Sequence, residues 1–273
     1  MTMNTQWSEA IDRWTVSLRA AGRVETTIGT RREHLRWCAA AIPCGPWDVT
    51  GDDLVEWTGS RTWARETRRG VRASLRSFYA WGVTSGRVAT SPAAGLAPVR
   101  ASEPRPRPAS NTAVDLAMRV ARPRERVMVR LAAEAGLRRA EVAQVHHRDL
   151  VEDLGGWSLV VHGKGSRERT VPLSPGLALE LRTLIHNAGG GWAFPGDDGG
   201  HLSPRWVGKL VTGLLPEDVT MHALRHRFAT RAYGVDRDLL SVQTLLGHAS
   251  PVTTRVYVQV PDDALRRTVL AIA

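Results

Sequence analysis
The chain has 273 residues, and its 37 lysines and arginines against 27 aspartates and glutamates give a formal net charge of +10 and a sequence pI near 10.9. That balance calls for a polyanionic partner, most simply a nucleic acid held through counterion release. No apolar run approaches the ~20 residues of a spanning helix and no secretory signal opens the sequence, so no membrane partner is expected and, with only two cysteines, a reducing cytoplasm is the expected location.

The length exceeds the usual single core and predicts two domains. Residues 1–100 hold seven of the ten tryptophans and no lysine, and they read as short helices. Trp7, Ile11, Trp14 and Leu18 form one apolar stripe at helical spacing, and Ile28, Leu35, Cys38 and Ala39 form a second. Thr50 followed three residues later by Asp53 predicts a capped start for a short helix bearing Leu54 and Trp57. A fourth helix is predicted from about Ala64 to Trp81, with Val71, Leu75 and Phe78 on its buried side. Arg65, Arg68, Arg69, Arg72 and Arg76 lie along it and, beside the net charge, are expected to face DNA.

Residues 101–109 read Ala-Ser-Glu-Pro-Arg-Pro-Arg-Pro-Ala, a linker with the extended geometry of proline-rich segments; at ~3.1 Å per residue it spans roughly 28 Å. Residues 110–273 then predict a mainly helical domain with one small sheet. Trp157 to His162 and Arg169 to Leu173 look like two strands, with Gly163-Lys164-Gly165 opening the turn between them. Ser174-Pro175, Ser203-Pro204 and Ser250-Pro251 each resemble a helix start, a capping serine before a first-turn proline. Asp262 could cap a last helix bearing Leu265, Val269, Leu270 and Ile272, an apolar stripe that buries either on its own domain or on another copy of the chain.

Five residues of this second part have the chemistry to handle a phosphodiester. An attacked phosphodiester needs a nucleophile, neutralisation of the charge on its non-bridging oxygens, and a proton for the departing oxygen. Arg138 and Arg225 offer planar forks of donors that match phosphate oxygens. Tyr257, with a reference pKa of about 10, needs a nearby base or a strongly positive pocket to attack at neutral pH. His222, three residues before Arg225 in a helical stretch, shares that arginine's face and is the candidate base. Lys164 is one of only two lysines, and unlike arginine it can give up a proton, as a leaving-group acid must.

Arg138, Lys164, His222 with Arg225, His248 and Tyr257 fill, in order, the signature Arg, Lys, His-x-x-Arg, His or Trp, Tyr. On these residues the chain resembles the tyrosine recombinases of the phage integrase and Xer family, over essentially its whole length. It departs outside the site, at His146-His147, where many relatives carry an aromatic or small polar residue before an aspartate. The resemblance implies a mainly α fold: a helical core-binding domain, then an α-rich catalytic domain with a small antiparallel β-sheet. It also implies attack of Tyr257 on a backbone phosphate of double-stranded DNA, giving a 3′-phosphotyrosyl enzyme and a free 5′-hydroxyl, and strand exchange through a Holliday junction without cofactor or divalent ion. Arg138 and Arg225 would stabilise the transition state, Lys164 would protonate the leaving oxygen, His222 would assist proton transfer at Tyr257, and His248 would hydrogen-bond the phosphate. Glu141 fits the family's acidic supporting position, and His226 is expected to buttress the site. Relatives act as a dimer on each site and a tetramer in synapsis, with the terminal helix packed into a neighbouring subunit.

Several other readings compete. A type IB topoisomerase shares the phosphotyrosine chemistry, but His222 before Leu224-Arg225 and the Leu246-Gly247-His248 sequence favour recombination. A non-catalytic DNA-binding regulator is disfavoured by the complete six-residue set. The core-binding pattern begins by Trp7, leaving no room for an arm-binding domain, so a minimal integrase of a phage or mobile element is expected ahead of an Xer-type resolvase of replicon dimers. No metal site is expected. Cys38 and Cys44 have no common zinc spacing, and His222 with His226 lacks both the glutamate after the first histidine and a third ligand.

Overall fold
The computed structural model describes residues 5–102, 107–163, 167–247 and 270. The chain divides into two compact units, Met1–Glu103 and Pro104–Ala273. The fold is mostly helical with one small antiparallel sheet. Among the described residues, no helix is long and apolar enough to cross a membrane.

The first unit contains four helices, α1 (Thr5–Ala20), α2 (Glu25–Ala41), α3 (Gly51–Gly59) and α4 (Arg65–Thr84). The stripe Trp7, Ile11, Trp14 and Leu18 is buried along α1, and Ile28, Leu35 and Cys38 are buried along α2. Thr50 caps α3 in the expected reciprocal way: its hydroxyl accepts from the Asp53 amide at 3.2 Å, and the Asp53 carboxylate accepts from the Thr50 amide at 2.8 Å. Phe78 of α4 is the centre of the core, with ring centroids 5.8 Å from Trp7, 5.4 Å from Trp14 and 5.4 Å from Trp47. Gly82, one turn on, gives Trp47 its room, since a Cβ there would lie 2.8 Å from the indole.

The second unit is built on α6 (Pro123–Glu134), whose Val127, Met128, Leu131 and Ala132 are buried. Around it lie α5 (Asn111–Val120), α7 (Arg139–Ala143), α8 (Pro175–Asn187), α9 (Pro204–Thr212), α10 (Met221–Asp236) and α11 (Leu239–Leu246). Ser174 and Ser203 cap α8 and α9, accepting from the amides of Leu177 and Trp206, with proline following each. Strands β1 (Leu150–Asp153), β2 (Gly156–His162) and β3 (Glu168–Pro172) pair antiparallel in that order. Val160 faces Thr170 and His162 faces Glu168 across the β2–β3 pair. Leu159, Val161 and Val171 turn into the core, the period-2 alternation of a half-buried sheet. Ser250-Pro251 and most of the terminal stretch lie outside the described residues, as do Lys164, His248 and Tyr257.

Candidate active site
Arg138 owes its place to a turn. After α6 the chain reverses at Gly136, whose φ of +68° is open to glycine and strained for other residues. A Cβ there would also strike the Phe228 ring. Arg138 follows in an extended conformation just before α7. From inside α7, Glu141 accepts the Arg138 amide at 2.8 Å and its guanidinium at 2.7 Å.

On α10, His222 and Arg225 lie three residues apart and share a face. The Arg225 side chain is 1% exposed. It donates to the Gly136 carbonyl and, at 2.6 Å, to the Leu246 carbonyl at the end of α11. Glu141 stands 3.6 Å away, so the buried cation has a counter-charge. Burial alone would push the Glu141 pKa up. Hydrogen bonds from Arg169 and from the Arg138 amide, with the charges of both arginines, overcome that and hold it at about 2. One carboxylate thus meets three guanidiniums, and the region keeps a net positive potential suited to phosphate.

Arg138, His222 and Arg225 line a single cleft of about 710 Å³. Arg139, Arg205 and Lys209 also border it, the Lys209 ammonium lying 4.8 Å over the Trp206 ring. A larger hollow of about 840 Å³, against Trp157, Arg182 and His186, contains none of the predicted site residues. His222 is at the cleft surface, and the protein packed around it, then the charges of Arg225 and Arg138, lower its pKa. It is therefore neutral near pH 7 and able to accept a proton. His226 meets the His222 ring edge to face at 4.4 Å, and burial, followed by His222 and Arg225, lowers its pKa to about 4. Its Nδ1 accepts the Arg107 amide at 3.1 Å. The end of the proline-rich stretch is thereby seated on α10, where Ala109 also donates to the Ala223 carbonyl.

Arg169 carries a structural role that the sequence reading missed. The sequence places it only in a predicted strand, and nothing in the local pattern of β3 marks it. Its Nη atoms donate to both Glu141 oxygens at 3.0 and 2.7 Å, and its Nε donates to the Leu245 carbonyl at 2.7 Å. The β2–β3 connection that contains Lys164 starts at Gly163, whose amide donates to the Arg167 carbonyl.

The α4 arginines are only partly a free row. Arg72 donates twice to the Leu96 carbonyl, Arg68 to the carbonyls of Thr58 and Arg61, and Arg76 to that of Ala94. Arg69 pairs with Glu66 at 2.6 Å. Arg65, Arg69 and Arg76 are exposed, whereas Arg68 and Arg72 are half-buried. Cys38 and Cys44 are free thiols, and burial lifts the Cys38 pKa to about 12. Among the described residues, no three His, Cys, Asp or Glu side chains gather to hold a metal ion.

Residues 111–263 match the model of the Phage integrase family. The chain is 36% identical over 200 residues to the tyrosine recombinase XerC of Xanthomonas campestris pv. campestris (strain B100), an alignment covering 68% of this chain and 61% of that protein. It therefore spans about three fifths of that relative's length. With XerC of Rhodospirillum centenum (strain ATCC 51521 / SW) the identity is 36% over 291 residues, covering 94% of this chain and 84% of that protein. Among solved structures, a lambda integrase dimer bound to a COC' core site superposes with a TM-score of 0.74 at 18% identity, covering 92% of this chain and 76% of that one, and so shares the fold.

Proposed function
The chain belongs to the phage integrase family, and we propose that it is a site-specific DNA recombinase that cuts and rejoins strands through a 3′-phosphotyrosyl intermediate and a Holliday junction. The observation that carries this reading is the convergence of Arg138, His222 and Arg225 on one cleft, with Glu141 fixing the two arginines.

In the proposed reaction the Tyr257 oxygen attacks the phosphorus and the bond from phosphorus to the 5′ oxygen breaks. Arg138 and Arg225 neutralise the non-bridging oxygens, and His248 donates to one of them. Neutral His222 takes the tyrosyl proton, and Lys164 delivers a proton to the departing 5′ oxygen. One phosphate ester replaces another, so bond energy is conserved, and the 5′-hydroxyl of a partner strand reverses the step.

Residues 1–100 would grip the duplex, 101–109 would link, and 110–273 would carry out catalysis. Of the α4 arginines, Arg65, Arg69 and Arg76 are exposed and best placed to meet phosphate, although Arg69 pairs with Glu66 and Arg76 holds the Ala94 carbonyl; Arg68 and Arg72 are half-buried on the carbonyls they hold. The protein would act in the cytoplasm, as a dimer on each site and a tetramer in synapsis, with the segment after Tyr257 docking on a neighbouring copy.

An integrase of a phage or mobile element is the main reading. The similarity to XerC proteins favours a second, an Xer-type resolvase of replicon dimers. Footprinting on the DNA flanking the gene would locate the site. Two duplexes carrying that site should then exchange arms when mixed with the protein; relaxation of supercoils alone would indicate a topoisomerase, and binding alone a regulator.

A further inference from the structure
Four pieces of chain have to be held in register for the proposed reaction: the turn bearing Arg138, the hairpin bearing Lys164, the face of α10 with His222 and Arg225, and the end of α11 that leads to His248. One buried side chain meets the end of α11 directly, belongs to the second strand of the hairpin, and reaches Arg138 through Glu141. Arg169 is on β3, so it moves with the hairpin. Its guanidinium makes a two-toothed contact with Glu141, which also holds the amide and side chain of Arg138. Its Nε reaches the Leu245 carbonyl, next to the Leu246 carbonyl that Arg225 occupies. The chain then turns at Gly247, with φ of +61°, close against the Arg169 side chain: a Cβ there would lie 3.0 Å from the arginine Cδ. A Cβ on Gly163, the residue before Lys164, would lie 4.0 Å from Arg169 Nη1.

A lysine could not substitute. Three donors of a planar fork are used at once, in two directions, and an ammonium on a flexible stem cannot reproduce that geometry. Nor does Arg169 border the cleft, so it does not touch a phosphate there.

Resting on the recombinase reading above, we infer that Arg169 is a positioning residue for strand cleavage, which ties strand β3 and the end of α11 to the Glu141–Arg138 pair. Its loss lets those segments drift by about 1 Å while the DNA grip of the first unit persists. Misplacement of about 1 Å costs about 10²-fold in rate.

The test uses the full chain and a nicked suicide duplex carrying the footprinted site, with Arg169→Lys and Arg169→Gln as variants. Half-site affinity by gel shift should stay within about threefold, whereas single-turnover adduct formation should fall about 10²-fold. With fewer hydrogen bonds from arginine, Glu141 should take a proton at higher pH, steepening the acid limb that His222 sets, and adding Glu141→Gln should abolish that change. Cleavage at the wild-type rate would overturn the inference. So would a parallel loss of binding, melting temperature and cleavage with an unchanged acid limb, or failure of both variants to fold, since Arg169 would then be only a structural strut. If the wild-type chain forms no adduct, the recombinase reading falls and takes this inference with it; an active wild type matched by its variants removes the inference alone.

Discussion

The carbonyl oxygen of Gly136 accepts a hydrogen bond from the buried guanidinium of Arg225, two residues ahead of Arg138 in the chain. One turn therefore aims the first arginine and anchors the second. Gly136→Ala should be costly for two reasons, the φ of +68° and the Phe228 ring against its Cα. A loss of about 1–3 kcal/mol is expected for such a strained site, seen as a lower calorimetric melting temperature, together with slower cleavage. An unchanged melting temperature would show that the turn has slack.

The nucleophile assignment can be read from a covalent adduct. The chain has three tyrosines, Tyr79, Tyr233 and Tyr257. Tyr79 is fully buried in the first unit and burial drives its pKa far up, which disqualifies it as a nucleophile. A nicked suicide duplex should trap protein on the 3′ side of the break through Tyr257. Tyr257→Phe should bind DNA normally and give no adduct, and peptide mapping of the adduct to Tyr233 would disprove the assignment.

Lys164→Ala should slow cleavage of ordinary DNA by about 10²- to 10⁴-fold, the usual worth of a general acid. A 5′-bridging sulfur leaves without needing a proton. Cleavage by the lysine variant should recover on that substrate, while Arg138→Ala, which lacks a charge clamp, should not. Equal rescue of the two variants would mean that they do not divide the work in this way.

His222 sets a pH dependence. Its surroundings and the charges of Arg225 and Arg138 lower its pKa, and the proposed reaction uses the neutral imidazole. Adduct formation should hold through pH 6.5 and decline only below it, as the ring gains a proton. His222→Ala should lower the rate throughout and remove that limb. A limb that stays in the variant belongs to another group.

His162, at the turn end of the β2–β3 hairpin, predicts a weaker effect of opposite sign. A hydrogen bond to Asp149 at 2.9 Å, helped by Glu168 at 3.0 Å, raises its pKa. The imidazolium contributes stability fully below the unfolded value of about 6.5, and that contribution fades as pH rises through the higher folded value. The side chain is half exposed, so the change in melting temperature should be at most about 3 °C. His162→Gln should flatten it, and an equal slope in the variant would place the titration elsewhere.

Local rules made much of the fold readable. Thr50 with Asp53, Ser174-Pro175 and Ser203-Pro204 gave helix starts that the hydrogen bonds reproduce, because a cap is decided within four residues. The helix expected over 64–81 runs from Arg65 to Thr84, and the strands expected over 157–162 and 169–173 lie within one residue of Gly156–His162 and Glu168–Pro172. Strand β1 was not foreseen: Leu150–Asp153 is short and mostly exposed, so it has no alternation to detect. Arg138, His222 and Arg225, which the fold brings to one cleft, stand out in the sequence because the features that mark them are local. The partners of Arg169 and of Arg72 do not, since 28 and 24 residues separate each from a carboxylate or a carbonyl that only the tertiary fold brings near.

The scarcity of lysine gives the protein a built-in reporter. Of its two lysines, Lys164 belongs to the proposed catalytic set, and Lys209 stands over Trp206 on the cleft that holds Arg138 and Arg225. Guanidinium groups do not react with mild acylating reagents, so such a reagent ignores the arginine-rich surface and labels side chains only at these two places. The extent of acylation at Lys209, read peptide by peptide in a mass spectrometer, thus becomes a gauge of whether a duplex occupies the cleft, with no engineered label.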